Sequence, residues 1–453
     1  MHYLASAFVL LAYPVFVAWI KANPRKVHWA YFGLGLLPFT LNSWNLDGAL
    51  ISWPAWPGYV KGLVITLLDS LALAIITTHR KPRGLPPLSG YVIAYMLAGL
   101  LSVAQSNVPM GSLFYPFQLL RVLILMVAVA KIAPDERGLT WLAMGLAAGI
   151  GYQAWFCILQ KLEGAFQTTG RMGHQNLLGI MAQFVLVLLL AMLAGGSRNR
   201  VLMLGVLSSL IVIGLGASRG AVGFSLIGVA LFMVLSIVRR PTQRKWQVVG
   251  FAALALALTS PLIIQGMSNR FGQIAQAGGS GGMDAEREAF ERAAKAMFAD
   301  HPMGVGANQY VVVANAEGYS KRAGVIWNWT SRAANVHNTY LLVAAETGWL
   351  GLLSFIAMLG AIILAGWRFA FGNKRDPRGD VVLGCTVTFM TLALHIQYEW
   401  VWVLYQSQYT FAIGVGIISG MTRARALERR EARRRRAEAE YAPALASVPD
   451  PAT

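Results

Sequence analysis

The sequence predicts an all-α polytopic membrane protein with about 12–13 transmembrane helices and one large, partly helical outer loop. Three observations carry this prediction. Hydrophobic residues fill 56% of the 453 positions and charged residues only 13%, against about 45–50% and about 25% in an ordinary globular chain. The remaining charge is lopsided, 38 Lys+Arg against 20 Asp+Glu, for a net +18. Apolar windows of the roughly 20 residues that a spanning helix needs recur along almost the whole chain. Scarce but basic charge fits a membrane protein whose cations sit in its loops. A nucleic-acid binder needs a basic face on a water-soluble domain, and too little of this chain is polar enough to build one.

The windows lie near 3–20, 28–44, 59–78, 88–106, 111–131, 139–159, 176–195, 200–217, 220–238, 247–266, 347–369, 379–397 and 404–421. The second is short and broken by Pro38, so the count holds to within one. The first is followed by NPRK, as a cleaved signal peptide would be. Only His2 precedes it in place of a basic segment, so it reads as a permanent span. Lys and Arg collect in KANPRK (21–26), HRKPR (79–83), SRNR (197–200), RRPTQRK (239–245) and NKRDPR (373–378). Such connectors face the cytoplasm, and the C-terminus goes with them. The alternate connectors, among them SWNLDGALISWPAWPG, SNVPMGS and KLEGAFQTTGRMGHQ, carry few charges and the Trp and Tyr of a membrane interface. Thirteen spans place the N-terminus outside; twelve place it inside.

The chain divides into residues 1–266, with about ten membrane helices; 267–337, a long outer loop; 338–421, the last membrane helices; and 422–453, a basic tail. Charges in the loop nearly cancel. Within it MDAEREAFERAAKAMFAD reads as a helix, with Asp284 near its start and Phe290, Ala294, Met297 and Phe298 along one face. HPMGVGANQ then breaks it with Pro and two Gly. Loops this long with structure of their own are usually functional, so the chemistry is sought here. The tail holds eight arginines against two glutamates between 423 and 436. It reads as a helix with its charges in water beside an anionic leaflet, each cation worth about 1 kcal/mol there, and so as a topological anchor.

Several chemistries are excluded. Cys157 and Cys385 both sit in apolar runs, without a CxxC pair, and read as small packing residues. The chain has no GxxxxGK[ST] phosphate loop and no HExxH pair, and its seven histidines are too dispersed to nominate a metal site. Three clusters remain. In GASRGAVGF (216–224) Gly216 and Gly220 permit a tight reversal and Ser218 caps a helix starting at Arg219. Such an end suits an anion, and an arginine there with no acidic neighbour favours function over mere snorkelling. In QTTGRMGHQNLLG (167–179) Arg171, His174 and Asn176 stand at a helix entrance, although Asn176 taken alone reads as an N-cap. In SRAANVHNTYLLVAAETGWLG (331–351) His337 and Asn338 open an apolar helix. Histidine is the side chain best placed to move protons near neutral pH, while a lone His at a helix start is more often a strut. Glu346 reads as structural.

Taken together, REAFERAAKAMFADHPMGVGANQY from Arg287 and VHNTYLLVAAETGWLG resemble the signature of the O-antigen ligase and polymerase superfamily. In that family an Arg opens an amphipathic stretch, a His-Pro-x-Gly-x-Gly turn follows, and a His-Asn opens a late membrane helix. SRGA (218–221) and GRMGHQN (170–176) match two further elements in the expected order, so the resemblance spans roughly residues 165–370. One departure is Glu291, where many relatives carry Trp. The resemblance implies a glycosyltransferase of the bacterial inner membrane, with its active site facing the periplasm. It moves polysaccharide from undecaprenyl diphosphate to a lipid A–core sugar hydroxyl without cofactor or metal. It assigns His337 as the essential histidine and general base, and Arg219 and Arg287 as holders of the donor diphosphate. Arg171, His174, Asn176 and Asn338 are grouped with them as substrate-binding. The acceptor stays open. A second undecaprenyl-linked repeat would make the protein a polymerase, and a protein Ser or Thr a protein O-oligosaccharyltransferase. A polysaccharide or lipid transporter also fits the spans and would need paired ionisable groups deep within helices, for which Asp69 and Arg121 are the candidates.

Overall fold

The computed structural model describes residues 2–44, 48–79, 82–276 and 281–446. The first helices are α1 (His2–Ala22) and α2 (His28–Trp44). A two-stranded antiparallel hairpin follows, β1 (Gly48–Ser52) and β2 (Gly62–Ile65). Then come α3 (Leu67–Thr78), α4 (Ser89–Ser102), α5 (Pro109–Ile132), α6 (Glu136–Leu162), α7 (Gln175–Ala194), α8 (Arg200–Gly216), α9 (Arg219–Arg239) and α10 (Gln243–Gln276). The outer segment contributes α11 (Gly281–Asp300), α12 (Tyr310–Ala316) and α13 (Tyr319–Arg322). The chain closes with α14 (Thr339–Gly372), α15 (Arg378–His395) and α16 (Tyr405–Ala446). Each apolar window of the sequence falls on a helix except the third, which is helical only from Leu67. Among the described residues seven helices are long and apolar enough to cross a membrane, and α3, α4 and α8 are shorter apolar helices. The protein is an all-α, multi-pass membrane protein.

Burial follows the pattern of each segment. In α7 every residue from Asn176 to Ala194 is buried, as expected of a helix apolar on all sides, and α6, α8, α9, α15 and α16 pack around it. The outer helices α1 and α10 leave most of their apolar surface exposed, Leu4, Leu11, Leu254 and Leu258 among it, which is the face a bilayer covers.

The third window departs from a continuous membrane helix. Its first half is strand β2, and the helix starts only at Leu67. Thr66 and Asp69 form a capping box that fixes this start: the Thr66 amide donates to Asp69 Oδ2 at 2.8 Å, the reciprocal arrangement that satisfies orphan donors of a helix's first turn. Arg121 Nε pairs with the same carboxylate oxygen at 2.7 Å. Asp69 of the buried pair named in the sequence therefore sits at a helix start with a capping function, and Arg121 reaches it from midway along α5.

The basic connectors gather at one end of the bundle. Lys131 Nζ donates to the carbonyl of His79 at 2.7 Å and Arg244 to that of Ser197 at 2.6 Å. Asp380 takes both Arg239, at 3.1 Å, and Lys245, at 2.9 Å. Asp376 takes Arg378 and Arg425 at 2.9 and 2.8 Å, and Arg378 continues to Glu428 at 2.7 Å. The tail starts as a docked element: Arg425 is buried in this clasp, and only the arginines beyond it are exposed, as expected of a solvated anchor.

At the opposite end the loop 301–309 locks onto a break in α14. Gly348 has φ 64 and ψ −164, a region open essentially to glycine. The break lets Gly306 N donate to Glu346 O at 2.9 Å and Trp349 N to Pro302 O at 3.1 Å. The Glu346 side chain is buried and structural. It accepts from Tyr59 Oη at 2.6 Å and from Tyr310 N at 3.0 Å, tying the hairpin and the outer segment to α14. A Cβ on Gly348 would collide with the backbone of Pro302 and Met303. Gly348→Ala is expected to destabilise the protein by about 3 kcal/mol from strain and overpacking, read as a lower unfolding midpoint in detergent.

Candidate active site

The site forms where α7, α9, α11 and the α15–α16 connector meet, at the end away from the basic connectors. Ala217, with φ 47, reverses the chain between α8 and α9. Ser218 then caps α9, its Oγ accepting from Ala221 N at 3.4 Å, as the sequence predicts. This places Arg219 in the first turn, where free backbone N–H groups and the helix dipole favour an anion. Gly220 is required because a side chain there would run into the ring of His395.

From the outer segment, α11 buries Phe290, Ala293, Ala294 and Met297, the face read from its periodicity, and turns Arg287 inward. Arg219 and Arg287, both half-buried, line one cavity of about 170 Å³ together with Asn176, His395, Tyr398 and Glu399. Two arginines 68 positions apart in sequence thus converge on one small polar space. A second cavity, of about 400 Å³ and almost wholly apolar, lies between α7, α8, α9 and α10. Val222, Leu226 and Val229 carry its wall along α9 from the turn that holds Arg219.

His337 stands beside this site through Glu399, its Nδ1 lying 3.8 Å from Glu399 Oε2. Asn338 caps α14, its Oδ1 accepting from Tyr340 N at 3.0 Å and Leu341 N at 3.2 Å. Thr339 fastens the same turn to the α15–α16 connector, its hydroxyl donating to the Glu399 carbonyl at 2.7 Å.

The other cluster is divided. His174, rather than Asn176, is the N-cap of α7, its Nδ1 accepting from Asn176 N at 3.2 Å. This frees the Asn176 side chain, whose Nδ2 donates to Glu399 Oε1 at 2.6 Å. Burial lowers the pKa of His174, opposed by the charge of Glu399 and assisted by that of His337. Arg171 is exposed, lies over the ring of Phe156 at 5.1 Å and does not line the cavity.

Glu399 and His395 are the site residues that sequence reasoning missed. His395 is fully buried, stacked on Phe224 at 4.7 Å, with Nδ1 3.2 Å from Gln183 Oε1. Burial would raise the pKa of Glu399, but the adjacent His337, then His395 and the Asn176 amide, hold it below the usual carboxylate range. A signal for it was present: Glu399 is the lone carboxylate in the outer connector between the last two windows, flanked by Tyr398 and Trp400. Among the described residues no three His, Cys, Asp or Glu side chains converge as metal ligands.

A multi-pass membrane protein with a cation-lined cavity at one end, adjoining an apolar slot, is the class these features define. Residues 203–356 match the family model for O-antigen ligase, a stretch running from α8 through Arg219, Arg287 and His337 into α14. This match supports the O-antigen ligase superfamily for that stretch of the chain. No curated protein matches the chain.

Proposed function

We propose that the protein is an O-antigen ligase of a bacterial inner membrane, moving polysaccharide from undecaprenyl diphosphate to a sugar hydroxyl of lipid A–core. The observation that carries this reading is the convergence of Arg219 and Arg287 on one cavity with the Glu399–His337 pair at its edge. Guanidinium is planar, permanently charged and matched to phosphate oxygens. A diphosphate held there has its isoprenoid chain beside the apolar slot along α9, in keeping with a lipid-anchored donor. The basic connectors at the opposite end support a cytoplasmic face there, and with it a periplasmic site and a cytoplasmic C-terminus.

In this reaction the acceptor oxygen forms a bond to the donor's anomeric carbon and His337 takes the hydroxyl proton. The anomeric carbon–oxygen bond breaks, its electron pair leaving on the diphosphate. Arg219 and Arg287 neutralise the charge that builds on that leaving group. The donor is already activated, so the step needs neither ATP nor a metal, and a single displacement inverts the anomeric configuration. The lipopolysaccharide of a deletion strain tests the acceptor. A ligase predicts loss of long-chain bands with undecaprenyl-linked polymer accumulating, whereas single-repeat bands mean a polymerase and contradict the reading. A transporter would depend on Asp69 and Arg121. If replacing that pair blocks polysaccharide movement while His337→Ala does not, transport is the function.

A further inference from the structure

The geometry points to Glu399 as the positioning residue for His337, fixing which imidazole nitrogen accepts the hydroxyl proton. This rests on the reading of His337 as general base. Three observations lead to it. Glu399 Oε2 and His337 Nδ1 are both buried atoms without a hydrogen-bond partner. They face each other at 3.8 Å, too close for a water to stand between and less than 1 Å beyond hydrogen-bond reach. Two buried polar groups left unpaired are costly, and a small closing movement satisfies both at once. The other carboxylate oxygen is already pinned by Asn176 Nδ2 at 2.6 Å, so the carboxylate's direction is set by α7 and its position by Thr339 on the backbone behind it.

Closing this gap puts the imidazole proton on Nδ1, donated to Glu399, and leaves Nε2 with the free lone pair. The same arrangement of carboxylate, imidazole and attacking hydroxyl orients the base in acyl-transfer triads, and such catalytic hydrogen bonds are often long until substrate binds. The titratable groups around His337 are Glu399 and His174; His395, Arg219 and Arg287 line the cavity with Glu399. Among the described residues Glu399 is the only carboxylate in that lining. Asn176, grouped by sequence with the substrate-binding residues, is assigned here to holding Glu399.

Two measurements on purified full-length protein test this. The first needs no substrate: carbethoxylation of His337 is followed by peptide mass spectrometry across pH, with His301 as internal reference. In Glu399→Gln the carboxylate charge is gone, so His337 stays reactive to lower pH than in the parent while His301 is unchanged. The second is ligation. Glu399→Gln lowers kcat by about 10²-fold, the low end of a general base's contribution, leaves the donor KM unchanged and moves the acid limb of the pH–rate profile to lower pH. Asn176→Ala, which keeps the carboxylate but frees its rotation, gives a smaller loss in kcat and serves if Glu399→Gln folds poorly. Superimposable His337 modification profiles in parent and Glu399→Gln, or in parent and Asn176→Ala where the first variant does not fold, overturn the assignment. Should His337→Ala ligate normally, the base reading fails instead, and the modification profiles still decide whether the pair exists.

Discussion

Replacing His337 with alanine is expected to lower ligation by purified protein by about 10³-fold or more, within the range general-base catalysis supplies. Donor binding survives, because the two cavity-lining arginines are untouched. The effect falls on kcat, since the proton is transferred only in the transition state. Asn338 caps α14 independently of the histidine, so the helix start stays in place and the loss is chemical rather than structural. Single-turnover kinetics with saturating donor check this, alongside an unfolding midpoint that stays near that of the parent.

The second large effect belongs to the arginines. Arg219→Ala and Arg287→Ala are each expected to cost about 10²–10³-fold in kcat/KM, the scale of removing one group that stabilises developing charge. Arg219→Lys recovers only part of this, because an ammonium keeps the charge and loses the bidentate geometry. Both arginines face one cavity of about 170 Å³, so their effects are coupled, and the double variant falls short of the product of the single losses. Arg171→Ala, outside that cavity and over Phe156, leaves the rate close to the parent's. A loss at Arg171 equal to that at Arg219 would mean that the donor lies along a different path. Initial rates at varied donor concentration separate these outcomes.

How much of this was legible in the sequence follows from the range of the interactions. Apolar runs declare themselves locally, and every window but the first half of the third found its helix. The amphipathic face of α11, with Phe290, Ala294 and Met297 buried, and the Ser218 cap before Arg219 are also local and were readable. The hairpin was not: the β-branched run before Thr66 is apolar enough to pass for membrane helix, and the capping box at Thr66 and Asp69 decides otherwise. Asn176 shows a second limit. At a helix entrance it looks like a cap, but His174 takes that place and Asn176 spends its amide on Glu399, 223 residues away. Nothing near position 176 announces that partner. The same holds for Glu399 and His395, whose roles depend on which helices meet. Net charge pointed to the opposite end of the molecule: the +18 gathers in connectors clasped by Asp376 and Asp380, whereas the candidate chemistry rests on two arginines at the nearly neutral end.

The proposed activity is transfer of a lipid-diphosphate-linked glycan by His337 and the two cavity-lining arginines. The most direct test reconstitutes the purified chain in liposomes with undecaprenyl-diphosphate-linked polysaccharide and lipid A–core, without nucleotide and with chelator present. Glycan on the lipid A–core and stoichiometric release of undecaprenyl diphosphate are expected, both lost in His337→Ala. No transfer by the parent protein, or undiminished transfer by His337→Ala, would contradict it.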